Sequence, residues 1–536
     1  MRVWRPQTCF LICMILKLMA VVILASLFLK KTAILFVNPK LVELNDFQIF
    51  MNDWCRVRQA RTETQSILAS CQDQLKWTYD QNGTETNASM SFISKWDLKP
   101  AGQFSRFFIQ TVSSEGALKT TGGDWWRVRI RSSVASLPST VFDHRDGTYE
   151  VIFLIVEHGI YYLDITLDHS LCNGFKDPPQ NWFILGNAQG KMQPNGVLRG
   201  RAKQDYLLQP FQDGRKLTIN IGLPDGRGLF VFNSLPRDIL LQLGKKFDLS
   251  CGMKCQMIWD GYGRWADEKW KPYLKARDGK VESKNLDKND DVSQTRSPLY
   301  NTLWIYGDSQ AKRMYEEVQN TSLCKTIFRV CKLSSNWVYA YEGEMPRQDD
   351  LDFDYKRITN DIKRVLDVEE MSENSVMVLN LGLHFVQATN FSNYIKLLRG
   401  VVDVIETRQR EGKKNVRLIW KTTTEISKHK DTKDLLYCDF KRFFTNARVA
   451  MYNAYATSFM CQKGFEILDV HPLTASYPGG TEDLDPCRID EPDLLPGKRA
   501  NGITDSFQFS VHKFQLLHMT EWNSSRTPQS FFPILC

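Results

Sequence analysis

The chain has 536 residues, which is longer than one ordinary domain and predicts two or three. Hydrophobic residues make up 43% of it, including 14 Trp and 31 Phe, and this is enough to build sizeable cores. The net charge of +8 is dispersed along the chain rather than concentrated in runs. Because a dispersed excess is typical of a solvated surface, we expect no nucleic-acid partner.

An apolar stretch near the N-terminus predicts the topology. Nearly all of residues 9–29 are apolar, with Lys17 the one charge, and at about 1.5 Å per residue the stretch is long enough to cross a bilayer. We interpret it as a signal anchor, with residues 1–8 cytoplasmic, in a single-pass type II membrane protein of the Golgi or the cell surface. A cleaved signal peptide, which would make the protein secreted, is the alternative. Lys30 and Lys31 stand where cleavage would be expected, which favours the anchor.

Sequons and cysteines predict that the remainder of the chain lies in the secretory lumen. N-x-Ser/Thr sequons, the acceptors of N-glycans, begin at Asn82, Asn87, Asn320, Asn390 and Asn523. Eleven scattered cysteines follow the anchor, and no pair of CxxC elements is present to build a zinc site, so disulfides are expected. Cys251–Cys255 and Cys324–Cys331 are candidate local pairs. The odd count leaves one thiol over, for which the terminal Cys536 is the candidate.

The first half of the lumenal region predicts a stem and a β-sandwich. Residues 30–98 contain helix formers and then an Asn/Thr/Ser-rich piece, and we interpret them as a stem. Between 99 and 172 the pattern changes to a period of two, with Asp146-Gly147 as a hairpin signal. Short strands at this spacing predict a sandwich of immunoglobulin type, a spacer or binding module. Residues 173–250 are interpreted as a connecting region.

After residue 300 the chain alternates between strand-like and helix-like segments. Leu303–Gly307 is an apolar run that ends in a Gly-Asp-Ser turn with a helix behind it, and later strand-like runs end near Asn380, Lys421 and Val470. Such alternation predicts an α/β domain with helices on both faces of a parallel sheet. Because the carboxyl ends of parallel strands meet at one edge, we expect Ser309 and the residues after Leu379 to lie near each other.

The order of these motifs resembles the neurexophilin and PC-esterase (NXPE) family. The residues that carry the resemblance are Asp143-x-x-Asp146-Gly147-Thr148-Tyr149 of a filamin-type repeat, Gly263-x-Trp265, Gly307-Asp308-Ser309, Asn380-Leu381-Gly382-Leu383-His384-Phe385, and Ile467-Leu468-Asp469 with Leu473-Thr474. It covers roughly residues 100–536, and the PC-esterase-like part, similar to the SGNH hydrolases, spans 251–536. The resemblance implies a domain that transfers or removes O-acetyl groups on glycans. It implies no cofactor or metal, and an acyl donor such as acetyl-CoA would be a substrate.

Serine acyl transfer requires a nucleophile, a base, an acid that orients the base, and donors for the oxyanion. Ser309 is the candidate nucleophile. Its own N–H, the N–H of Gly382 and the side chain of Asn380 are candidate oxyanion donors. His384 is a candidate lining residue, although a histidine after a buried strand is more often structural.

The C-terminal part of the predicted triad departs from the family pattern. The resemblance implies Asp-x-x-His, whereas the best match is Asp505-Ser506-Phe507-Gln508. Gln508 cannot accept and return a proton near pH 7, so His512, one helical turn further on, is the candidate base with Asp505 as its partner. A second alignment places Ser510 near the acid position instead.

Two functions therefore remain open. One is a membrane-anchored glycan O-acyltransferase or esterase that uses Ser309, Asp505 and His512. The other is a non-catalytic cell-surface or secreted protein that binds a glycan or a protein partner through the sandwich and the cleft. The presence of Gln508 at the expected histidine position is the sequence feature that separates the two.

Overall fold

The computed structural model describes residues 41–77, 83–179, 205–230, 251, 257–273, 300–321, 323–335, 354–413, 415–426 and 442–478. The chain divides into two compact units, Met1–Asn52 and Asp53–Cys536, and the boundary falls inside the first helix. The predicted anchor at residues 9–29 lies outside the described residues, and no helix within them is long and apolar enough to cross a membrane.

Helices and strands are distributed along the chain as follows. The helices are α1 (Leu41–Thr62), α2 (Thr64–Leu68), α3 (Ser309–Val318), α4 (Tyr355–Asp367), α5 (Leu383–Ala388), α6 (Phe391–Arg410), α7 (Asn446–Gln462) and α8 (His471–Ala475). The strands are β1 (Thr86–Asp97), β2 (Phe104–Ser113), β3 (Trp125–Arg131), β4 (Ala135–Pro138), β5 (Thr140–Asp143), β6 (Thr148–Leu154), β7 (Gly159–His169), β8 (Gln209–Pro210), β9 (Leu217–Ile221), β10 (Met257–Trp259), β11 (Gly263–Ala266), β12 (Lys269–Pro272), β13 (Tyr300–Gly307), β14 (Phe328–Ser335), β15 (Val376–Leu379), β16 (Arg417–Lys421) and β17 (Glu466–Leu468).

Two antiparallel sheets form a β-sandwich, as the period-two pattern predicted. One sheet has the order β1-β2-β6-β5, and the other has the order β12-β11-β4-β3-β7-β8, with β9 paired to β7. Alternate residues of both sheets, among them Phe107, Ile130, Val151 and Leu163, fill the core between them. Burial of these apolar side chains, at about 25 cal/mol per Å² of area removed from water, stabilises the sandwich.

The sandwich extends beyond the boundaries predicted from the sequence. Strand β1 lies in the predicted stem, β8 and β9 lie in the predicted connecting region, and β11 and β12 lie in the predicted α/β domain. The predicted limits of 99 and 172 are therefore too narrow. Half of the residues of β1 are exposed, and β8, β11 and β12 are only two to four residues long, so these strands lack the alternation of apolar and polar residues that marks a half-buried strand. Strand β9 does alternate, but its pairing with β7 is a long-range contact that the sequence does not reveal.

A six-stranded parallel sheet follows, in the order β10-β17-β16-β15-β13-β14. Leu303 and Ile305 of β13 pack on the side of α3, whereas Trp304 and Tyr306 pack on the opposite side with α4 and α6. The sheet therefore has helices on both faces, which is the predicted three-layer α/β arrangement.

The strand order defines where a site is expected. Five of the strands, β13 to β17, can be numbered 1 to 5 in chain order. Across the sheet they lie in the order 2-1-3-4-5, in which β13 is strand 1 and β15 is strand 3. The direction of the connections reverses between these two strands, and ligands of open α/β sheets bind outside the carboxyl ends at such a switch point. The segments that leave those ends are Asp308–Ser309 and Asn380–Gly382.

Three disulfides join described cysteines: Cys55–Cys251, Cys71–Cys172 and Cys324–Cys331. The predicted pair Cys324–Cys331 is confirmed. The predicted pair Cys251–Cys255 is wrong, because Cys251 bonds to Cys55, 196 residues away. The fold brings α1 beside residue 251, a long-range proximity that cysteine spacing does not reveal. The predicted thiol Cys536 lies outside the described residues.

Candidate active site

The turn after β13 is built around the absence of a side chain at Gly307. A Cβ atom there would lie 2.8 Å from the Ala311 Cβ and 2.9 Å from the Asn380 carbonyl oxygen. Both distances are shorter than real Cβ contacts, and neither neighbour is the end of a flexible side chain. The close approach explains why a glycine precedes Asp308, and it draws the first turn of α3 against the end of β15.

Asp308 fixes two helix N-termini with one carboxylate. Its Oδ1 accepts from the Gln310 N–H at 2.9 Å as the N-cap of α3, and its Oδ2 accepts from the Leu383 N–H at 3.2 Å at the start of α5. The side chain is buried. A carboxylate is stabilised at a helix N-terminus by the helix dipole and by the N–H groups that lack partners in the helix. Asp308 therefore holds the two strand-end loops in one fixed relationship.

Ser309 is the first residue of α3 and is half-buried. Within the described part of the chain, its Oγ makes no hydrogen bond, and the backbone N–H groups of Ser309 and Gly382 have no acceptor. Two N–H groups without partners beside a serine at the switch point are the kind of donor that an oxyanion requires. The arrangement can present a hydroxyl nucleophile together with backbone donors.

Asn380 has a different set of contacts from the one predicted. Its Nδ2 donates to the Lys421 carbonyl oxygen at 2.9 Å and lies 3.4 Å from the Thr423 Oγ1, so the amide N–H groups are used in linking β15 to the loop after β16. The absence of a side chain at Gly382 makes room for this network, because a Cβ there would lie 2.5 Å from the Asn380 Oδ1. In this conformation Asn380 positions the loops rather than donating toward Ser309.

Lys421 is a buried basic side chain at the carboxyl end of β16. Burial lowers its pKa, and the charge of Asp308 acts in the opposite direction. The Lys421 Nζ lies 3.4 Å from the Thr422 carbonyl oxygen. The interaction of Lys421 with the Asp308 carboxylate brings a basic side chain within electrostatic reach of the Gly-Asp-Ser turn.

The predicted base is not among the described residues. Asp505, Gln508 and His512 lie outside them, and across the described ranges no imidazole donates to or accepts from the Ser309 Oγ. His384 lies on α5 and is half-buried.

Sequence reasoning missed further charged groups along the same edge. Arg61 of α1 forms ion pairs with Asp260, which follows β10, and with Asp469, which follows β17. The Arg61 Nη2 lies 2.7 Å from the Asp260 Oδ1. Burial alone would raise the pKa of Asp260, but Arg61 and Arg58 outweigh it and hold that pKa at about 2. The arginines thereby fasten α1 to the carboxyl edge of the sheet. From the sequence, only Asp469 could be expected at this edge, because it lies at the end of a predicted strand. The sequence gives no sign that a helix in the predicted stem packs against this sheet.

Glu425 and His471 also lie at this edge. Burial raises the pKa of Glu425 to about 7, against the effect of Arg129 and Arg127. Burial and, to a smaller extent, the positive charge of Arg61 lower the pKa of His471 to about 4, so the imidazole is neutral near pH 7. Glu425 follows β16 within four residues, so the strand-end rule applied to that strand would have found it.

Three of the predicted glycosylation sites are described. Asn320 is exposed at the end of α3, Asn390 is half-buried as the N-cap of α6, and Asn87 is half-buried on β1. Asn82 and Asn523 lie outside the described residues.

No family model matches the chain. Among solved structures, it is similar to the Lin-41 filamin domain at 13% sequence identity, covering 26% of this chain and 97% of that chain with a TM-score of 0.17. It is also similar to domains 4 and 5 of the S-layer protein SbsC at 15% identity, covering 16% of this chain and 47% of that chain with a TM-score of 0.13. TM-scores this low are not evidence for a shared function, so the geometry of the site itself is the basis for the proposed function.

Proposed function

We propose that the carboxyl edge of the parallel sheet is a serine acyl-transfer site, which transfers or removes O-acetyl groups on glycans. The observation that carries the proposal is the position of Ser309, at the first turn of a helix and at the switch point of the sheet. The unbonded N–H groups of Ser309 and Gly382 support it, because they can bind an oxyanion. The choice of an O-acetyl group and a glycan as substrates rests on the resemblance of the motifs to the NXPE and PC-esterase families.

In the proposed reaction the Ser309 Oγ attacks the acyl carbonyl carbon and its proton passes to a base. The tetrahedral oxyanion forms opposite the backbone N–H groups and collapses to an acyl-serine as the donor oxygen or sulfur leaves with a proton. A glycan hydroxyl or water then attacks the acyl-serine and releases Ser309. His512, with Asp505, is the candidate base, since histidine is the side chain whose ordinary pKa suits this role.

The proposed setting is the lumen of the secretory pathway, with the protein anchored through residues 9–29. Disulfides persist in oxidising compartments, and the pairs Cys55–Cys251 and Cys71–Cys172 support this location. The exposed Asn320 also supports it, since N-glycans are added to accessible asparagines.

A second candidate function is non-catalytic binding of a glycan or protein. The lack of an imidazole contact to the Ser309 Oγ among the described residues, together with Gln508 in the sequence, favours it. In that function the switch-point cleft and the sandwich would form the binding surfaces.

Acyl transfer by the purified full-length protein tests the proposal. Acetyl-CoA or an O-acetylated glycoprotein is supplied, and acetate gained by or released from the glycan is measured by mass spectrometry. We expect activity in the wild type and in Ser94→Ala, an exposed serine of the sandwich, and loss of it in Ser309→Ala and His512→Ala. Gln508→His is expected to raise the rate if the base limits it. Equal signals from the wild type and Ser309→Ala would exclude the enzyme and leave the binding function.

A further inference from the structure

A cavity of about 170 Å³ lies between the β-sandwich and the α/β sheet, apart from the Ser309 turn. One wall is β3, which contributes Trp125, Arg127 and Arg129, and the opposite wall includes Glu425 and His471. The wall also contains apolar side chains, such as Ile67, Leu68 and Phe175. A cavity of this size is large enough for a benzene-sized molecule, and apolar walls with a few polar groups are typical of small-molecule sites.

Three arginines line the cavity, and they differ in their partners. Arg61 binds Asp260 and Asp469, and Arg127 binds both carboxylate oxygens of Asp168, at 2.9 and 3.1 Å. Arg129 makes no hydrogen bond or ion pair with any described residue, and its Nε is buried without a partner. A guanidinium stays protonated in proteins and presents a planar fork that matches a carboxylate. Of the three arginines, Arg129 is therefore the one without a carboxylate partner among the described residues.

Three further polar atoms of cavity-lining residues are also unsatisfied. They are the Arg61 Nε, the Tyr262 phenol oxygen and the His471 Nε2, and none of them has a hydrogen-bond partner among the residues that the structure describes. Buried polar groups without partners are rare in native proteins, and such groups are suited to bind a ligand, a water molecule or an ion. Together with Arg129 they are polar atoms of the cavity lining that a bound molecule could satisfy.

We propose that this cavity binds a small organic carboxylate, whose carboxylate pairs with Arg129 while its apolar body packs against the aromatic wall. The site is separate from Ser309, and the proposal does not depend on acyl transfer. Arg129 provides the charge and fork geometry for the carboxylate, and the rings of Trp125 and Phe175, which meet edge to face at 86°, provide aromatic surface for the remainder of the molecule.

Glu425 makes the binding depend on pH. The charged groups that face it are Arg127 and Arg129 of β3 and Asp168 of β7. The other titratable groups that line the cavity are Asp124, Asp143, the neutral His471 of α8 and the paired Arg61 of α1. When Glu425 ionises, near pH 7, its carboxylate competes with the ligand for the positive charge of Arg129. The affinity for an organic anion should therefore fall as the pH rises through 7.

Benzoate is the probe, and benzamide, its neutral counterpart of the same shape, is the matched control ligand. Binding to the full-length protein is measured by saturation-transfer NMR and by thermal stabilisation. We expect benzoate to bind and benzamide to bind at least about tenfold more weakly, because a charged hydrogen bond is lost. Absence of benzoate binding, or equal binding of the two ligands, would overturn the proposal.

Arg129→Gln is the test variant, and Arg131→Gln is its control. Arg131 lies two residues further along β3 on the same side, but its side chain is 49% exposed, pairs with Asp164 and does not line the cavity. Benzoate affinity should fall about tenfold or more in the first variant and stay unchanged in the second. Equal affinity in both would overturn the role of Arg129.

Glu425→Gln is a second test variant, which serves if Arg129→Gln does not fold. It should bind benzoate with an affinity that no longer changes across pH 7, whereas in the wild type the affinity falls there. A pH dependence that persists in Glu425→Gln would contradict the competition. Ser309→Ala should bind benzoate as the wild type does, which separates this result from failure of the acyl-transfer proposal.

Discussion

The Asp308 carboxylate accepts a hydrogen bond from the Leu383 N–H at 3.2 Å, across 75 residues of chain. Through this contact the Asp of a Gly-Asp-Ser turn has a structural role that is separate from any chemistry at the serine. It joins the loop after β13 to the loop after β15, the two loops that flank the switch point of the sheet. The geometry of the proposed nucleophile therefore depends on a neighbouring side chain that does not react.

Asp308→Ala should destabilise the protein by about 3 kcal/mol, because it removes an N-cap and leaves the buried Leu383 N–H without an acceptor. Asp354→Ala is the matched control, since Asp354 caps α4 with the same 2.9 Å bond to the second residue of the helix, but is exposed. The control should cost about 1 kcal/mol. Free energies of unfolding from chemical denaturation measure the difference, and equal losses would contradict the bridging role.

Gly307→Ala should destabilise the protein by about 2 kcal/mol, because the added Cβ would overlap the Ala311 Cβ and the Asn380 carbonyl oxygen. It should also reduce the proposed acyl transfer by displacing Ser309. Gly222→Ala is the control, since no atom lies within 4 Å of a Cβ built there. The control should leave the unfolding midpoint unchanged or raise it slightly. If the two variants had equal midpoints, the close approach at Gly307 would have no energetic effect.

The turn itself could be predicted from the sequence because its signals are local. The apolar run from Leu303, the glycine and the polar helix start are adjacent in the chain, and the strand-end rule then places Asn380 and Gly382 nearby. The second acceptor of Asp308 and the amide contacts of Asn380 could not be predicted, because they depend on the registers of β13, β15 and β16. For the same reason the binding of Arg61 to Asp260 and Asp469 was missed. The identity of the base for Ser309 stays a prediction.

Asn390 can cap α6 and carry a glycan at the same time. Its Oδ1 accepts from the Asn393 N–H at 2.8 Å, and its Nδ2, the atom to which a glycan attaches, makes no hydrogen bond in the part of the chain that is described. Asn390→Asp should lose the glycan but keep the cap, whereas Asn390→Gln should lose both and be about 1 kcal/mol less stable than Asn390→Asp.

Mass spectrometry before and after glycosidase treatment measures the glycan, and chemical denaturation measures the cap. Ser392→Ala is the control, because it removes the sequon and leaves the Asn393 contact in place. A mass unchanged by glycosidase at this site in the wild type would refute glycosylation of Asn390. Equal stability of the Asp and Gln variants would refute the cap.

Glu425 and His471 should give the stability of the protein two opposing pH dependences. The pKa of Glu425 is raised from 4.5 to about 7, so the folded state keeps a proton that the unfolded chain releases, and this contribution to stability falls as the pH rises through that window. The pKa of His471 is lowered from 6.5 to about 4, so the unfolded chain binds the extra proton, and this contribution rises with pH. Between pH 4.5 and 6.5 the two slopes largely cancel.

Each single variant should therefore uncover the slope of the other residue. In Glu425→Gln the free energy of unfolding should rise with pH relative to the wild type, by up to about 1.4 kcal/mol per pH unit. In His471→Gln it should fall with pH by a similar amount. The free energy of unfolding, measured by chemical denaturation across pH 4.5–6.5, checks both variants. Variant curves that run parallel to the wild-type curve would show that neither pKa is shifted in the folded protein, because a group with the same pKa in both states contributes no slope.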